Sequence, residues 1–441
     1  MKSSPYQRLV LPSGVRVLLV PMQGVDSVAT AVMVGVGSRY ERREINGISH
    51  FLEHMVFKGT QKFPTTDDVN FIERLGGIQN AYTDIDVTSY HNKVLASDWS
   101  SALEINKELA LFPRLEEKYL DKERSVIIEE IKRYEDMPEL KVEEVFHQML
   151  YPGTRLGMRI IGDEKSLQSV ASRELKLYHD AWYQPAKIVV VLAGNLSAGE
   201  ARETPESFQA SPASEAIKRK ALAWFGHLEQ KKTSDLEVVR PGQSKPQLSV
   251  VTKSDAQQAH LVLGVRTFAR GSNDRFAWAL FNLIMGSSFT SRLFKEIREK
   301  RGLCYHIHSD SSNYAEVGSW EIHSGVATDK VGEATKAILA ELVKVKNTGI
   351  TEGELQVAKK RLAAMLAFRS EDPEFFVEWY GRQEVYQMPI ITTLGYLEKI
   401  SQVTREEINL LASKYLKTPN LNLALVWNKP WEEKFATWLQ L

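Results

Sequence analysis

The chain has 441 residues, 43% of them hydrophobic and 25% charged, with 56 basic and 56 acidic side chains and a formal net charge of +0. That length exceeds one comfortable core and points to two domains, while the balanced charge gives no global bias toward nucleic acid or an anionic membrane. Cys304 is the single cysteine, which excludes an intramolecular disulfide and fits a reducing compartment. No uncharged apolar run is long enough to span a bilayer. A cytoplasmic protein with neither nucleic-acid nor membrane partners is expected.

In chain order, residues 9–11 and 15–20 read as a hairpin around Pro12-Ser13-Gly14 and not as a signal peptide, because no sustained apolar stretch follows the basic residues. A strand over 28–36 and an amphipathic helix over 48–57 follow, then paired β segments at 79–83 and 88–95 and a long helix over 97–111. A helix over 172–183, stopped before Pro185, leads to an apolar strand at 188–193. Residues 203–214 form a polar turn or loop, and 240–246, with Pro241, Gly242 and Pro246, make the better linker. The same order then recurs: strands at 248–252 and 260–266, a helix over 276–286, paired segments at 304–311 and 318–325, a helix over 330–347, a helix over 404–416 and a strand at 421–426. This predicts a duplicated α+β domain, each copy a mostly antiparallel sheet packed against helices. The expected division is 1–228, a linker at 229–246, and 247–441.

The segment Ile48-Ser49-His50-Phe51-Leu52-Glu53-His54-Met55 carries the strongest chemical signal. On a helix, His50 and His54 at i and i+4 share a face, and Glu53 lies one turn beyond His50. Two imidazoles can clamp one metal ion while the carboxylate reaches a water in the open coordination position. The order His-x-x-Glu-His inverts the common His-Glu-x-x-His pattern. At the matching place the second half has Phe276-Ala277-Trp278-Ala279-Leu280-Phe281-Asn282-Leu283, without a ligand pair, so only one half can hold this metal. A third ligand is best sought in 121–135, where Val126, Ile127 and Ile131 suit a buried helix face and Glu123 and Glu130 lie two turns apart on one stripe. From the residues alone either glutamate could serve. Mixed imidazole and carboxylate donors with an open position favour zinc over iron or manganese.

Together with the glycine-rich approach Gly35-Val36-Gly37-Ser38-Arg39-Tyr40, with Gly47, and with Leu75-Gly76-Gly77-Ile78-Gln79-Asn80-Ala81-Tyr82-Thr83, these residues resemble the pitrilysin or insulinase-type metallopeptidases. The resemblance covers essentially the whole chain and is nearest to the half-length branch that includes the mitochondrial processing peptidases and bacterial relatives. It implies a zinc endopeptidase acting on peptides or unstructured segments, with one Zn²⁺ per chain held by His50, His54 and Glu130. Glu129 is the adjacent alternative, but it points off the Glu123 stripe. Glu53 would be the general base, and Glu123, a second important carboxylate, would orient a histidine or hold the helix. The resemblance further implies that substrate pairs with the strand edge at Asn80 and Ala81. Arg298 and Tyr305, from the metal-free half, would support the substrate backbone and the developing oxyanion. Full-length relatives close a chamber with four such domains, so a chain with two implies a homodimer in which Arg298 and Tyr305 act on the partner's zinc site. The alternatives are a non-catalytic scaffold subunit, a kind of relative that tends to lose the zinc motif, and a processing subunit requiring an unlike partner. His306 and His308 share one face of a strand but receive no ligand role.

Overall fold

The computed structural model describes residues 5–197, 211–231, 236, 238–429 and 433–441. Most of the expected polar loop, 203–210, and part of the expected linker, 232–235 and 237, lie outside the described residues. The fold is α+β, with two sheets packed against helices. One sheet comprises β1 (Gln7–Val10), β2 (Arg16–Pro21), β3 (Ser27–Val34), β4 (Ile78–Thr83), β5 (Thr88–Leu95) and β6 (Ile188–Gly194). The other comprises β7 (Gln247–Thr252), β8 (Gln258–Thr267), β9 (Cys304–Asn313), β10 (Gly318–Ala327) and β11 (Leu421–Trp427). Helices that pack on the sheets or carry site residues are α1 (Ile48–Val56), α2 (Trp99–Leu111), α3 (Glu117–Asp136), α4 (Pro138–Leu150), α5 (Ser172–Trp182), α6 (Asp274–Met285), α7 (Val331–Thr348), α8 (Pro373–Val385) and α9 (Arg405–Tyr415). No helix among the described residues is long and apolar enough to cross a membrane.

The strand orders are β1-β2-β6-β3-β5-β4 and β7-β11-β8-β10-β9. With β1 set aside, both sheets run first, fifth, second, fourth, third in chain order. Each is antiparallel apart from one pair, β2 with β6 and β7 with β11, and these pairs correspond. The duplication expected from the order of elements is therefore present in the topology as well.

Packing divides the chain into two compact units, residues 1–129, 158–236 and 366–392 in one, and 130–157, 237–365 and 393–441 in the other. In the first, β6 is buried along its whole length. Helices cover both faces of the sheet there, so the strand reads as a continuous apolar run without alternation. Thr30 faces α2 through a buried network in which Thr30 Oγ1 donates to Asn92 Oδ1 (2.8 Å) and Asn106 Nδ2 donates to Thr30 Oγ1 (2.9 Å). Ala29, Ala31 and Met33 point the other way and cluster with Val377, Tyr380 and Val385 of α8. In the second unit α4 packs on β8 and β11. The other face of that sheet meets α6, where Trp320 Nε1 donates to Asn282 Oδ1 (2.8 Å) and Trp278 meets Trp320 edge-on. Between α6 and β9 lies a π-helical stretch, Phe294–Lys300.

Candidate metal centre

Helix α1 begins at Gly47, whose φ of 93° lies in the left-handed region. A side chain there would be doubly penalised, because its Cβ would also lie 2.6 Å from the Ile161 carbonyl oxygen. The new helix is capped from a distance. The fully buried Glu41 carboxylate accepts hydrogen bonds from Gly47 N (2.7 Å), Ser49 N (2.8 Å) and Asn46 Nδ2 (2.7 Å). Burial pushes its pKa up to about 7, while those donors pull the other way. An acid at this helix end also meets the positive pole of the helix dipole.

Ile48, Phe51, Leu52 and Met55 bury one side of α1. His50 and His54 lie on the other, with ring centroids 4.7 Å apart and planes at 66°. One ligand atom each from His50, His54 and Glu130 falls within 4.8 Å of the others. A tetrahedral zinc ion with bonds of about 2.1 Å would hold its ligand atoms about 3.4 Å apart, a spacing compatible with donors gathered within 4.8 Å. Burial, and then the neighbouring His54, push the His50 pKa down to about 3, which keeps that ring in the neutral form a metal requires. Two imidazoles, one carboxylate and an open fourth position suit zinc.

Glu130 is the first residue past the division between the compact units. The unbroken helix α3 fixes it relative to Glu123, two turns earlier. Glu129 is exposed and lies outside the donor cluster. On the same helix Ile127 and Ile131 are buried as expected, whereas Val126 is 45% exposed and does not belong to the buried face. Glu123 is buried behind the histidines. Its Oε2 lies 3.4 Å from His54 Nδ1, and its Oε1 pairs with Lys58 Nζ at 2.7 Å. With Nδ1 facing Glu123, the Nε2 atom of His54 is the one left for a metal.

Glu53 is anchored from the sheet: Thr83 Oγ1 donates to its Oε2 at 2.7 Å. Asn80 and Ala81 lie on β4, an edge strand paired to β5 through Asn80↔His91 and Ala81↔Tyr90. Asn80 Oδ1 accepts from the Ala81 amide at 2.9 Å. Arg298 and Tyr305 belong to the second unit. Arg298 sits in the π-helical stretch with its guanidinium 4.8 Å from the Phe294 ring centre, and Tyr305, at the start of edge strand β9, is 68% exposed. Glu41, Lys58 and Thr83 were not singled out as site residues by the sequence. The available signal was that Lys58 follows His54 at i+4 and Thr83 ends the strand of Asn80.

This donor set lies on the inverted His-x-x-Glu-His motif, and comparison with known proteins gives the family. Residues 16–164 match the family model described as "Insulinase (Peptidase family M16)", and residues 169–362 match "Peptidase M16 inactive domain". The chain belongs to the insulinase family of peptidases, family M16. Its relatives include a Bacillus subtilis protein named "Uncharacterized zinc protease YmxG", 32% identical over 95% of this chain and 98% of that one. A Mycobacterium leprae protein named as a zinc protease is 31% identical over 94% of this chain and 90% of its own. Among solved structures, a protease from Helicobacter pylori superposes with a TM-score of 0.86 at 22% identity, covering 96% of this chain and 99% of that one. The peptidase M16 inactive domain from Pseudomonas fluorescens gives 0.84 at 19% identity, covering 98% and 100%. Both are likenesses of fold.

Proposed function

We propose that the protein is a zinc-dependent endopeptidase that cuts peptides or unstructured polypeptide segments. The observation that carries this reading is the convergence of His50, His54 and Glu130, with Glu53 on the same helix and hydrogen-bonded to Thr83. His50, His54 and Glu130 would hold one Zn²⁺ per chain, and Glu123 would keep the His54 ring oriented. When bound, the ion supplies Lewis acidity toward an attacking water and the scissile carbonyl. A Glu53 carboxylate oxygen takes the proton of that water and delivers it to the leaving amine nitrogen. The peptide lies against the β4 edge at Asn80 and Ala81 as an added strand, which reads backbone more than side chains and so tolerates varied sequences. Arg298 and Tyr305 donate to the substrate backbone and the developing oxyanion in the partner's site of a homodimer. The single cysteine supports a cytoplasmic location. A complete donor set weighs against a purely scaffolding role.

The deciding experiment measures metal content and hydrolysis of a quenched unstructured peptide for wild type and Glu53→Gln. Stoichiometric zinc in both, with turnover lost only in the variant, is expected; equal hydrolysis by both would end this mechanism. His54→Ala should lose the ion from this site, since it removes a direct donor. For the homodimer, light scattering should find two chains, and a fully active monomer would overturn it.

A further inference from the structure

A second group of donors lies within the second unit, and the function proposed above makes no use of it. β8, β10 and β9 carry four imidazoles on one face. His260 and His306 both pair with Gly325, and His308 lies opposite His323. A Cβ on Gly325 would come within 2.6 Å of His306 Cε1, so only glycine there lets the His306 ring lie across the middle strand. The His308 and His323 rings are stacked, with centroids 4.8 Å apart and planes at 8°, and His306 stands 6.1 Å from His308.

Carboxylates complete the arrangement. Asp310 Oδ2 is 3.3 Å from His308 Nε2, and Glu321 Oε2 is 3.6 Å from His323 Nε2. Asp310 and Glu321 are themselves cross-strand partners. On the far side of the His323 ring, Nδ1 lies 3.4 Å from Glu143 Oε1, on helix α4. One ligand atom each from His308, Asp310 and His323 lies within 4.8 Å of the others.

We propose that His308, Asp310 and His323 bind a second divalent transition-metal ion, zinc by donor class, with Glu321 beside it as a further oxygen donor and Glu143 orienting His323. Two imidazoles with carboxylate oxygen form a donor set of intermediate softness that zinc takes readily. A carboxylate on the rear nitrogen of a ligating histidine fixes the tautomer and aims the front nitrogen at the ion. His308 and Asp310 are 47% and 65% exposed, whereas His323 is 12% exposed, so an ion can enter from solvent onto an anchored ligand. Bound there, it clamps edge strand β9 onto β10. The rival arrangement is a plain ionic cluster, with His323 held between Glu143 and Glu321.

The full-length chain is loaded with zinc sulfate, freed of excess by gel filtration and analysed by native mass spectrometry and elemental analysis. Wild type should carry two zinc ions, His50→Ala/His54→Ala one, and the same variant with His308→Gln and Asp310→Asn added none. The last two residues are on the surface, and circular dichroism checks that the fold survives. Cobalt loading gives an independent readout: the His50→Ala/His54→Ala protein should show visible d–d absorption that vanishes with His308→Gln and Asp310→Asn. No zinc on His50→Ala/His54→Ala, or an undiminished ion on that variant after His308→Gln and Asp310→Asn are added, would each overturn the proposal and favour the ionic cluster, whatever the count on wild type. Peptide hydrolysis is not needed for any of these outcomes, so a failure of the peptidase reading is told apart from a failure of this one.

Discussion

Glu123 faces two partners at once, His54 Nδ1 at 3.4 Å and Lys58 Nζ at 2.7 Å, and under the proposed function it would act on a bound metal through the ring it orients. Glu123→Gln should weaken zinc binding by about 10- to 100-fold, the usual cost of losing such a partner, measured by competition with a chelator. Thr83→Val removes the hydroxyl that anchors Glu53, so kcat should fall by about 10-fold, a fraction of the full worth of a general base, with zinc content unchanged. His50, Glu53 and His54 were legible because a helix period puts i and i+4 on one face. The same period set Glu123 and Glu130 on one stripe but could not choose between them, and it enrolled Val126 wrongly. Glu41 was illegible for a different reason. It caps amides six and eight residues ahead of it, and that reach depends on the path of an irregular loop, which no spacing rule encodes.

Helix α8 is bolted to the edge of its sheet. Arg8 donates to both Glu384 carboxylate oxygens at 2.8 Å, and Arg16 Nη1 donates to the Glu384 carbonyl at 2.8 Å. Arg16 and Glu384 are both buried, so Glu384→Ala leaves Arg16 without its counter-charge and should cost about 3 kcal/mol, read from urea unfolding. A second element carries acid sensitivity. Burial pushes the Glu354 carboxyl up, but the Arg292 fork (2.6 and 2.7 Å) and the Thr351 amide outweigh it and bring its pKa from 4.5 down to about 2. A carboxyl depressed on folding contributes stability that is present above its unfolded value of 4.5 and is lost as pH falls toward about 2. Arg292→Met should therefore lower the urea midpoint near neutrality, with the gap to wild type closing through that acid window. Strands such as β6 and paired segments such as β4 and β5 were readable from local apolar pattern. Helices α4 and α8 were not read at all: each follows a proline start, and each depends for its burial on a sheet drawn mostly from the other half of the sequence. Contacts that distant in sequence leave no local signature.

Over the whole chain, the duplicated order of elements was legible and the traffic between the copies was not. Strands β1–β6 precede residue 229 and β7–β11 follow 246, yet residues 366–392 belong to the first unit and 130–157 to the second. Residues 1–228 expressed alone lack α8, which would expose Ala29, Ala31 and Met33 along one face of the sheet. That fragment should aggregate or lack a cooperative thermal transition, and supplying 247–441 during refolding should restore one. Reciprocal exchange of a helix is also the geometry of a segment-swapped dimer whose two chains have been joined end to end. An engineered protease site in 229–246 would then produce a nicked molecule that travels as one body on gel filtration. Its two pieces would part only in denaturant, because each would have to surrender a helix that completes the other's core.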